Sequence, residues 1–548
     1  MQPENKPWFS SWPKNVPKNL EYPNVPLHAI LEETAKENPE KVAIAYFKRE
    51  ITYAELDSLV SQFAAGLAAL GVKKSDRVAI FLPNIPQFLI AYFGVLKAGA
   101  VLTAISPLHK EREVEYQLND SESETVIASE SLYPILENVC RKTKLKNAVI
   151  TSKEEYAFKK PVVSKTPQAP NVRSFQELMK KPVKTSNLDI NPREDLAALQ
   201  YTGGTTGTSK GAMLTHLNLI SNAIAFAAWI KGTAEDTFLA ALPLFHIYGM
   251  TTSMNAPVSL AAKMVLLPLF KPAVALETIQ RHKVTVFCGV PTMYSVLLAY
   301  PELGKFNLTS IRVCISGASP LPPQVQKEFM QITGGFLAEG YGLTEASPVT
   351  HCNPVDKAMH TIRVGSIGLP LPDTDARIVD AETGAKTLAP DEIGELAVKG
   401  PQVMRGYWRN LEETGLILRG GWLLTGDIAR MDRDGYFYIT DRKKDLIKYK
   451  DYSVYPRELE DVLYEHPAVK LCAVVGKPAP IVGEIPKAFI MLKDGIQAVE
   501  AEIIAFVKEK VAPYKALREV EFRQQLPISA AGKVLKRTLQ EEEKRKNM

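Results

Sequence analysis

Residues 196–211, LAALQYTGGTTGTSKG, join a short apolar run to a loop of glycine, threonine and serine that ends on a lysine. Leu196–Gln200 reads as a buried strand, because a continuous apolar run bounded by turn residues suits a strand covered on both faces. Beyond it, Gly203, Gly204 and Gly207 let backbone N–H groups approach an anion. Thr202, Thr205 and Thr206 add hydroxyls, and Lys210 adds positive charge. The pattern is not a Walker A loop, which needs Gly-Lys-Ser/Thr; here Ser209 precedes Lys210 and Gly211 follows it. A flexible turn is the alternative, and the density of Gly, Thr and Lys favours phosphate binding over it.

Outward from this point, strand-like runs alternate with helical patterns. Val284–Val290, Ile311–Ser316 and Phe336–Gly340 read as buried strands, and Leu219–Ile230 and Gln324–Ile332 as helices. Such alternation predicts an α/β fold. No repeat of 20–50 residues is visible. Thr151 to Pro192, rich in Lys, Ser and Pro, reads as a surface excursion with one short helix near Ser174–Met179. The charged run DRKKDLIKYKD at 441–451 opens a second texture. A helix is expected near Arg457–Glu465, strands near Leu471–Val475 and Ala488–Leu492, and a helix near Ala501–Val511. This places a boundary at Lys444, between a domain of residues 1–443 and one of residues 444–548.

Composition narrows the function. In 548 residues, 46% hydrophobic and 23% charged content excludes disorder and a short disulfide scaffold. A net charge of +5 gives no case for a dedicated nucleic-acid binder. Cys140, Cys288, Cys314, Cys352 and Cys472 are odd in number and form no C-x-x-C pair, which points to a reducing compartment and no structural zinc. The richest apolar stretch, Phe88 to Pro107, is interrupted by Lys97 and two glycines and falls short of a membrane span. No secretory or mitochondrial leader is visible at the start, and the final KNM is not a peroxisomal address. A cytoplasmic protein is expected.

Three further segments carry chemistry. Glu339-Gly-Tyr-Gly-Leu-Thr-Glu345 ends an apolar strand, where ligands gather in open α/β sheets. Tyr341 could stack on a base, Thr344 could bond a phosphate and Glu345 could hold Mg²⁺, which prefers oxygen ligands. A turn with a core tyrosine is the alternative. Asp427 in Thr425-Gly-Asp427 suits ribose hydroxyls, and an ordinary Gly-Asp turn would look the same. Lys533, after Gly532, could reach a reacting phosphate, although most surface lysines are simply solvated.

Taken in order, these segments resemble the adenylate-forming superfamily of acyl-CoA synthetases, coumarate–CoA ligases, firefly-type luciferases and peptide-synthetase adenylation domains. The resemblance runs from ITYAEL at Ile51–Leu56 and LKAGA at Leu96–Ala100 through YTGGTTGTSKG and LPLFHIYG at Leu242–Gly249. It continues through EGYGLTE, GELAVKGP at Gly394–Pro401, TGD, YITDRKKDLIK at Tyr438–Lys448 and the final Gly-Lys. It implies a large N-terminal domain of several subdomains and a smaller, mobile α+β C-terminal domain. It also implies a two-step reaction, in which a carboxylate attacks the α-phosphate of ATP and a thiol, usually that of CoA, then displaces AMP.

The resemblance carries over residue by residue. It gives Thr202, Gly203, Gly204, Thr205, Thr206, Gly207 and Lys210 to the β- and γ-phosphates. Gly317, Ala318 and Ser319 fall on the adenine side. Glu339, Gly340, Tyr341, Gly342 and Thr344 line the nucleotide, and Glu345 holds Mg²⁺. Asp427 and Arg442 look like the ribose ligands, and Lys444 sits at the hinge. Lys533 bridges the substrate carboxylate and the α-phosphate, so Lys533, Lys210 and Thr206 are expected to serve catalysis. His246, with Tyr248 and Gly249, resembles the gate beside the acyl pocket. Lys448 and Lys450 are placed near the CoA channel, Lys448 with a role in the second step. Asp451 departs from the glycine usual there and brings a negative charge toward the incoming thiol.

The expected activity is an AMP-forming acyl-CoA synthetase for a medium- or long-chain fatty acid, with ATP, Mg²⁺ and CoA. Gly342 carries the chain-length argument, because relatives using acetate or propionate place tryptophan at that point. An aryl-acid ligase of the coumarate type is the nearest rival, and a non-catalytic acyl- or adenylate-binding protein is the rival of another class. A fatty substrate is compatible with peripheral contact at a membrane, and a homodimer stays open.

Overall fold

The most apolar stretch becomes, at its start, the helix Pro86–Lys97, opened by a proline whose missing N–H is harmless in the first turn. Every residue from Pro86 to Leu96 is buried. A helix apolar on all sides belongs inside a large core or a membrane. Here it is the former, since Phe88, Ile90 and Tyr92 share one cluster with Val78 and Ile80 on one side and Ile44 and Met264 on another. Among the described residues no helix is long and apolar enough to cross a membrane. The computed structural model describes the chain apart from residues 1–5, 159–161, 163–166, 168, 181–187, 203–208, 357–361, 444, 451, 480–481, 530–533 and 547–548.

Those neighbours belong to two sheets. In the first, seven strands among the described residues run in the order Val172–Ser174, Asn147–Thr151, Thr125–Ser129, Arg77–Phe81, Val101–Ala104, Leu196–Thr202, Lys210–Thr215. All pairings are parallel except the last, an antiparallel hairpin. In the second, a parallel centre of Val42–Tyr46, Lys263–Leu266, Thr237–Ala240, Val286–Gly289, Val313–Ser316 and Phe336–Gly342 has antiparallel strands at both edges. The parallel strands are mostly apolar, as double-sided burial favours. This is the α/β class expected, and the strand expected at Leu196–Gln200 extends to Thr202.

The chain divides into two compact units. One comprises Trp8–Asp375 with Lys399–Gly421, and the other Met1–Pro7, Ala376–Val398 and Trp422–Met548. The second unit holds Trp422–Met431, Phe437–Arg442 and nearly all of Asp375–Val379 and Gly394–Lys399, and Trp422–Met431 pairs antiparallel with both Gly394–Lys399 and Phe437–Arg442. It also holds a sheet built on the long pair Val469–Ala479 and Gly483–Leu492, covered by helices Pro456–Tyr464 and Glu500–Lys508. The expected elements of the C-terminal texture are all present, each within a few residues of its reading. Lys444 lies outside the described residues, and the residue-444 boundary stays a proposal.

The segment Thr151 to Pro192 is more than a surface excursion. Tyr156, Phe175 and Leu178 are buried, and the Phe175 ring stacks on Phe63 with centroids 4.6 Å apart. Isolated apolar anchors in a Lys- and Pro-rich background pin it to the core. The short helix is Phe175–Leu178, capped by Ser174 and Glu177.

Candidate active site

The strands on either side of the glycine-rich segment pair with each other. Thr202 pairs with Lys210 and Tyr201 with Gly211 across the antiparallel strands. Gly203, Gly204, Thr205, Thr206 and Gly207 lie outside the described residues. Both ends of the connection are braced by the helix Glu111–Ser121, since Tyr116 donates to the Ser209 carbonyl at 2.7 Å and Tyr201 donates to Asp120 at 2.5 Å. The Ser209 hydroxyl closes the hairpin onto the Thr202 carbonyl.

Lys210 and Glu345, far apart in sequence, meet at one phenol. The Tyr407 hydroxyl donates to Glu345 Oε1 at 2.6 Å, and Lys210 Nζ lies 5.2 Å from the centre of the Tyr407 ring. Lys210 Nζ also pairs with Glu413 Oε2 at 2.6 Å. Burial pushes the Tyr407 phenol well above its ordinary pKa and the Glu345 carboxylate adds to it, so Tyr407 stays a donor. The segment bearing Tyr407 is laced to its surroundings by backbone bonds. Met404 N–H donates to the Glu345 carbonyl at 2.8 Å, Met213 N–H to Gly406 at 2.9 Å and Trp408 N–H to Gly211 at 2.8 Å. Neither Tyr407 nor Glu413 is marked by a motif; only the long-range pairing reveals them. Glu345 fits a Mg²⁺ ion in kind, being a half-buried hard oxygen donor fixed through one oxygen, and Mg²⁺ is usually held by one or two carboxylates plus substrate phosphates.

Tyr341, on the same strand end, is half-buried and meets His351 edge-on with centroids 6.1 Å apart. Thr344 opens the 3₁₀ turn Thr344–Ala346. Glu339 is buried and accepts from Leu321 N–H at 3.4 Å, so it supports the segment that contains Gly317, Ala318 and Ser319. A Cβ on Gly317 would lie 3.1 Å from the Tyr248 ring, so glycine there makes room for that ring. Ala318 takes the left-handed conformation at φ 72°. Gly340 is equally tight, its added Cβ meeting Ile315 at 3.1 Å.

Gly342 requires a correction. A Cβ there would stand 2.2 Å from the Pro348 carbonyl oxygen and 3.0 Å from Val349 Cα. Glycine is demanded by the close approach of this backbone, and the open space that the chain-length argument assumed is absent in the Cβ direction. Gly249 is constrained in the same way, since an added Cβ would stand 2.3 Å from the Pro243 carbonyl oxygen.

His246 caps the helix Ile247–Met250, its Nδ1 accepting from Tyr248 N–H at 3.2 Å. The turn before it is held by two buried amides that no motif singled out. Asn84 donates to the Ala240 and Leu242 carbonyls and accepts from Leu244 N–H, and Gln200 donates to the Phe245 carbonyl at 2.9 Å. Tyr248 is buried and its hydroxyl donates to the Ile315 carbonyl at 2.9 Å. The next turn, Thr251–Asn255, is a π-helix, a form frequent near functional sites.

In the second unit, Asp427 and Arg442 face each other across antiparallel strands, with Arg442 Nε 3.3 Å from Asp427 Oδ1. Buried Glu395 fixes the turn, accepting from Gly426 N–H at 3.0 Å and pairing with Lys443 at 2.9 Å. Lys448 and Lys450 are exposed on the strand Ile447–Tyr449 and the turn after it. Lys444, Asp451 and Lys533 lie outside the described residues.

The profile of the AMP-binding enzyme family matches residues 31–408, and that of the AMP-binding enzyme C-terminal domain matches residues 458–533. The chain belongs to the AMP-binding enzyme family. A long-chain-fatty-acid–CoA ligase of Bacillus subtilis is 44% identical over 554 residues, with 98% of each chain covered. One of Salmonella typhimurium is 36% identical over 560 residues at the same coverage. Among solved structures, ATP-bound MatB from Rhodopseudomonas palustris is similar with a TM-score of 0.86 at 31% identity, over 96% of this chain and 100% of that one. The anthranilate–CoA ligase AuaEII with anthranoyl-AMP gives 0.86 at 29% identity, over 96% and 99%. This AMP-binding enzyme is an AMP-forming CoA ligase, with ATP, Mg²⁺ and CoA as the reactants of its class.

Proposed function

We propose that the chain activates a medium- or long-chain fatty acid and transfers it to CoA. In the first step the fatty carboxylate attacks the α-phosphate of ATP, the α–β phosphoanhydride bond breaks, and pyrophosphate leaves the acyl-adenylate. In the second the CoA thiol attacks the acyl carbon, loses its proton, and AMP departs. A carboxylate is a poor acyl donor, and adenylation gives it a good leaving group. The first step gathers negative charge, which donors and cations already in place stabilise.

The observation that carries the reading is the seating of Lys210 and Glu345 about Tyr407, a cation for phosphate and a carboxylate for Mg²⁺ in one cluster. Bound Mg²⁺ neutralises charge on the phosphates. Thr202 and the loop Gly203–Gly207 are assigned to the same phosphates, Tyr341 to the base, and Asp427 and Arg442 to the ribose. Lys533 is assigned to the α-phosphate, and Lys448 and Lys450 to the thiol step. The preference for a fatty acid is supported by the names of the relatives from Bacillus subtilis and Salmonella typhimurium. Tyr248, whose hydroxyl is engaged by Ile315, offers no evident partner for a coumarate phenol.

Pyrophosphate release with decanoate, palmitate and coumarate, each with and without CoA, tests this. A fatty acid should lead by at least ~10-fold, as several buried methylenes at ~1–3 kcal/mol each allow. Coumarate in the lead would favour an aryl-acid ligase, and no release with any acid would favour a binding protein. The reaction is placed in the cytoplasm. Peripheral contact at a membrane and pairing into a homodimer belong to the same reading, checked by vesicle co-sedimentation and light scattering.

A further inference from the structure

Lys210 is occupied. Its ammonium lies 2.6 Å from Glu413 Oε2, with the lysine side chain 17% exposed and the glutamate 34%. Glu413 is presented by the first turn of the helix Leu411–Ile417, where its N–H is capped by Asn410 Oδ1 at 3.1 Å. That helix begins four residues after Tyr407, whose N–H donates to Thr414 Oγ1 at 2.9 Å, so the phenol on Glu345 and the carboxylate on Lys210 come from one braced segment. A carboxylate at this distance offers the lysine what a phosphate oxygen would offer, a charge-assisted acceptor, but with a single charge.

We infer that Glu413 is the resident partner of Lys210, holding its ammonium until the polyphosphate of ATP displaces it, and so sets the affinity of the site for polyphosphate. The inference rests on the assignment of Lys210 to the β- and γ-phosphates. Displacement breaks one ion pair and leaves Glu413 beside new negative charge, so the carboxylate opposes ATP and, equally, pyrophosphate. On release of pyrophosphate Glu413 takes Lys210 back. AMP, which has no β- or γ-phosphate, does not compete with it.

Calorimetric titration of the full chain with ATP, pyrophosphate and AMP, in the absence of fatty acid, reads this directly. Glu413→Gln keeps the size and the backbone cap of the residue and removes its charge. It should tighten ATP and pyrophosphate by about 3- to 10-fold, the scale of a partly buried ion pair, and leave AMP within about 2-fold. The gain should shrink at high salt, where the pair is screened. Glu413→Asp, which keeps the charge, should lie between wild type and Glu413→Gln, and thermal unfolding reports whether each variant is folded. Lys210→Met should weaken ATP, and in that background the gain from Glu413→Gln should shrink to the smaller part that relief of repulsion alone supplies. Unchanged ATP affinity in Lys210→Met would overturn the assignment of Lys210 itself. Weaker ATP in Lys210→Met together with no gain in Glu413→Gln, or a gain that is just as large without Lys210, would overturn the role of Glu413 alone.

Discussion

Gly342 shows how a single position can be read two ways. From sequence it marks an open pocket; in the structure it marks the place where Pro348 passes within 2.2 Å of a would-be Cβ. Gly342→Ala is therefore expected to destabilise by about 1–3 kcal/mol through overpacking against backbone, read as a lowered unfolding midpoint. A wild-type midpoint would restore the pocket argument. His351 gives a second residue-scale prediction. It is fully buried, and burial lowers its pKa from 6.5 to about 3. Below pH 6.5 the unfolded chain binds a proton that the folded chain refuses, so stability is full above 6.5 and falls as pH drops toward 3. Between pH 7.5 and 5.5 this one group removes about 1.4 kcal/mol. In urea unfolding at the two pH values, the stability that wild type loses should exceed the loss in His351→Gln by that amount, and equal losses would contradict it.

Whole elements are more legible in the sequence than the pairings between them. The buried strands announce themselves because continuous apolar runs have few other uses, and helix His216–Trp229 because its second half, Ala223–Trp229, is an unbroken apolar run. Phosphate-like loops and strand-end acids are legible because glycine, hydroxyl and carboxylate have narrow chemical uses. Tyr407 and Glu413 are not, since their meaning lies in partners 62 and 203 residues away. Thr151–Pro192 misleads for a related reason: its composition describes the exposed majority and hides the few anchors. Asn218 shows how elements are tied together. On helix His216–Trp229 it accepts from Thr215 N–H at 2.9 Å and donates to the Pro401 and Val403 carbonyls at 2.7 and 3.0 Å. It thereby holds the segment leading to Tyr407. Asn218→Leu strands buried polar groups and is expected to cost about 3 kcal/mol. It should also raise the KM for ATP, as the segment behind Tyr407 loosens, with less effect on the KM for the fatty acid. Equal changes in both constants would deny the link from helix to phosphate cluster.

In the proposed reaction one chain performs two chemistries, and C-terminal residues take part in each. Lys444, proposed as the hinge, absorbs the backbone change that such a switch needs. Lys444→Pro fixes φ at about −65° and removes an N–H. It is expected to leave ATP–pyrophosphate exchange within a few-fold of wild type and to reduce thioester formation by at least ~10-fold, provided that the adenylation conformation accepts that φ. Equal losses would remove the hinge from residue 444. The most direct test of the central claim is the pair of half-reactions in Lys533→Ala. ATP–pyrophosphate exchange with palmitate and thioester formation from supplied palmitoyl-adenylate are measured on the same folded preparation. Exchange should fall by at least ~100-fold, since the lysine neutralises charge that develops only at the α-phosphate, with thioester formation retained. Equal loss of both half-reactions, or exchange at the wild-type rate, would contradict it.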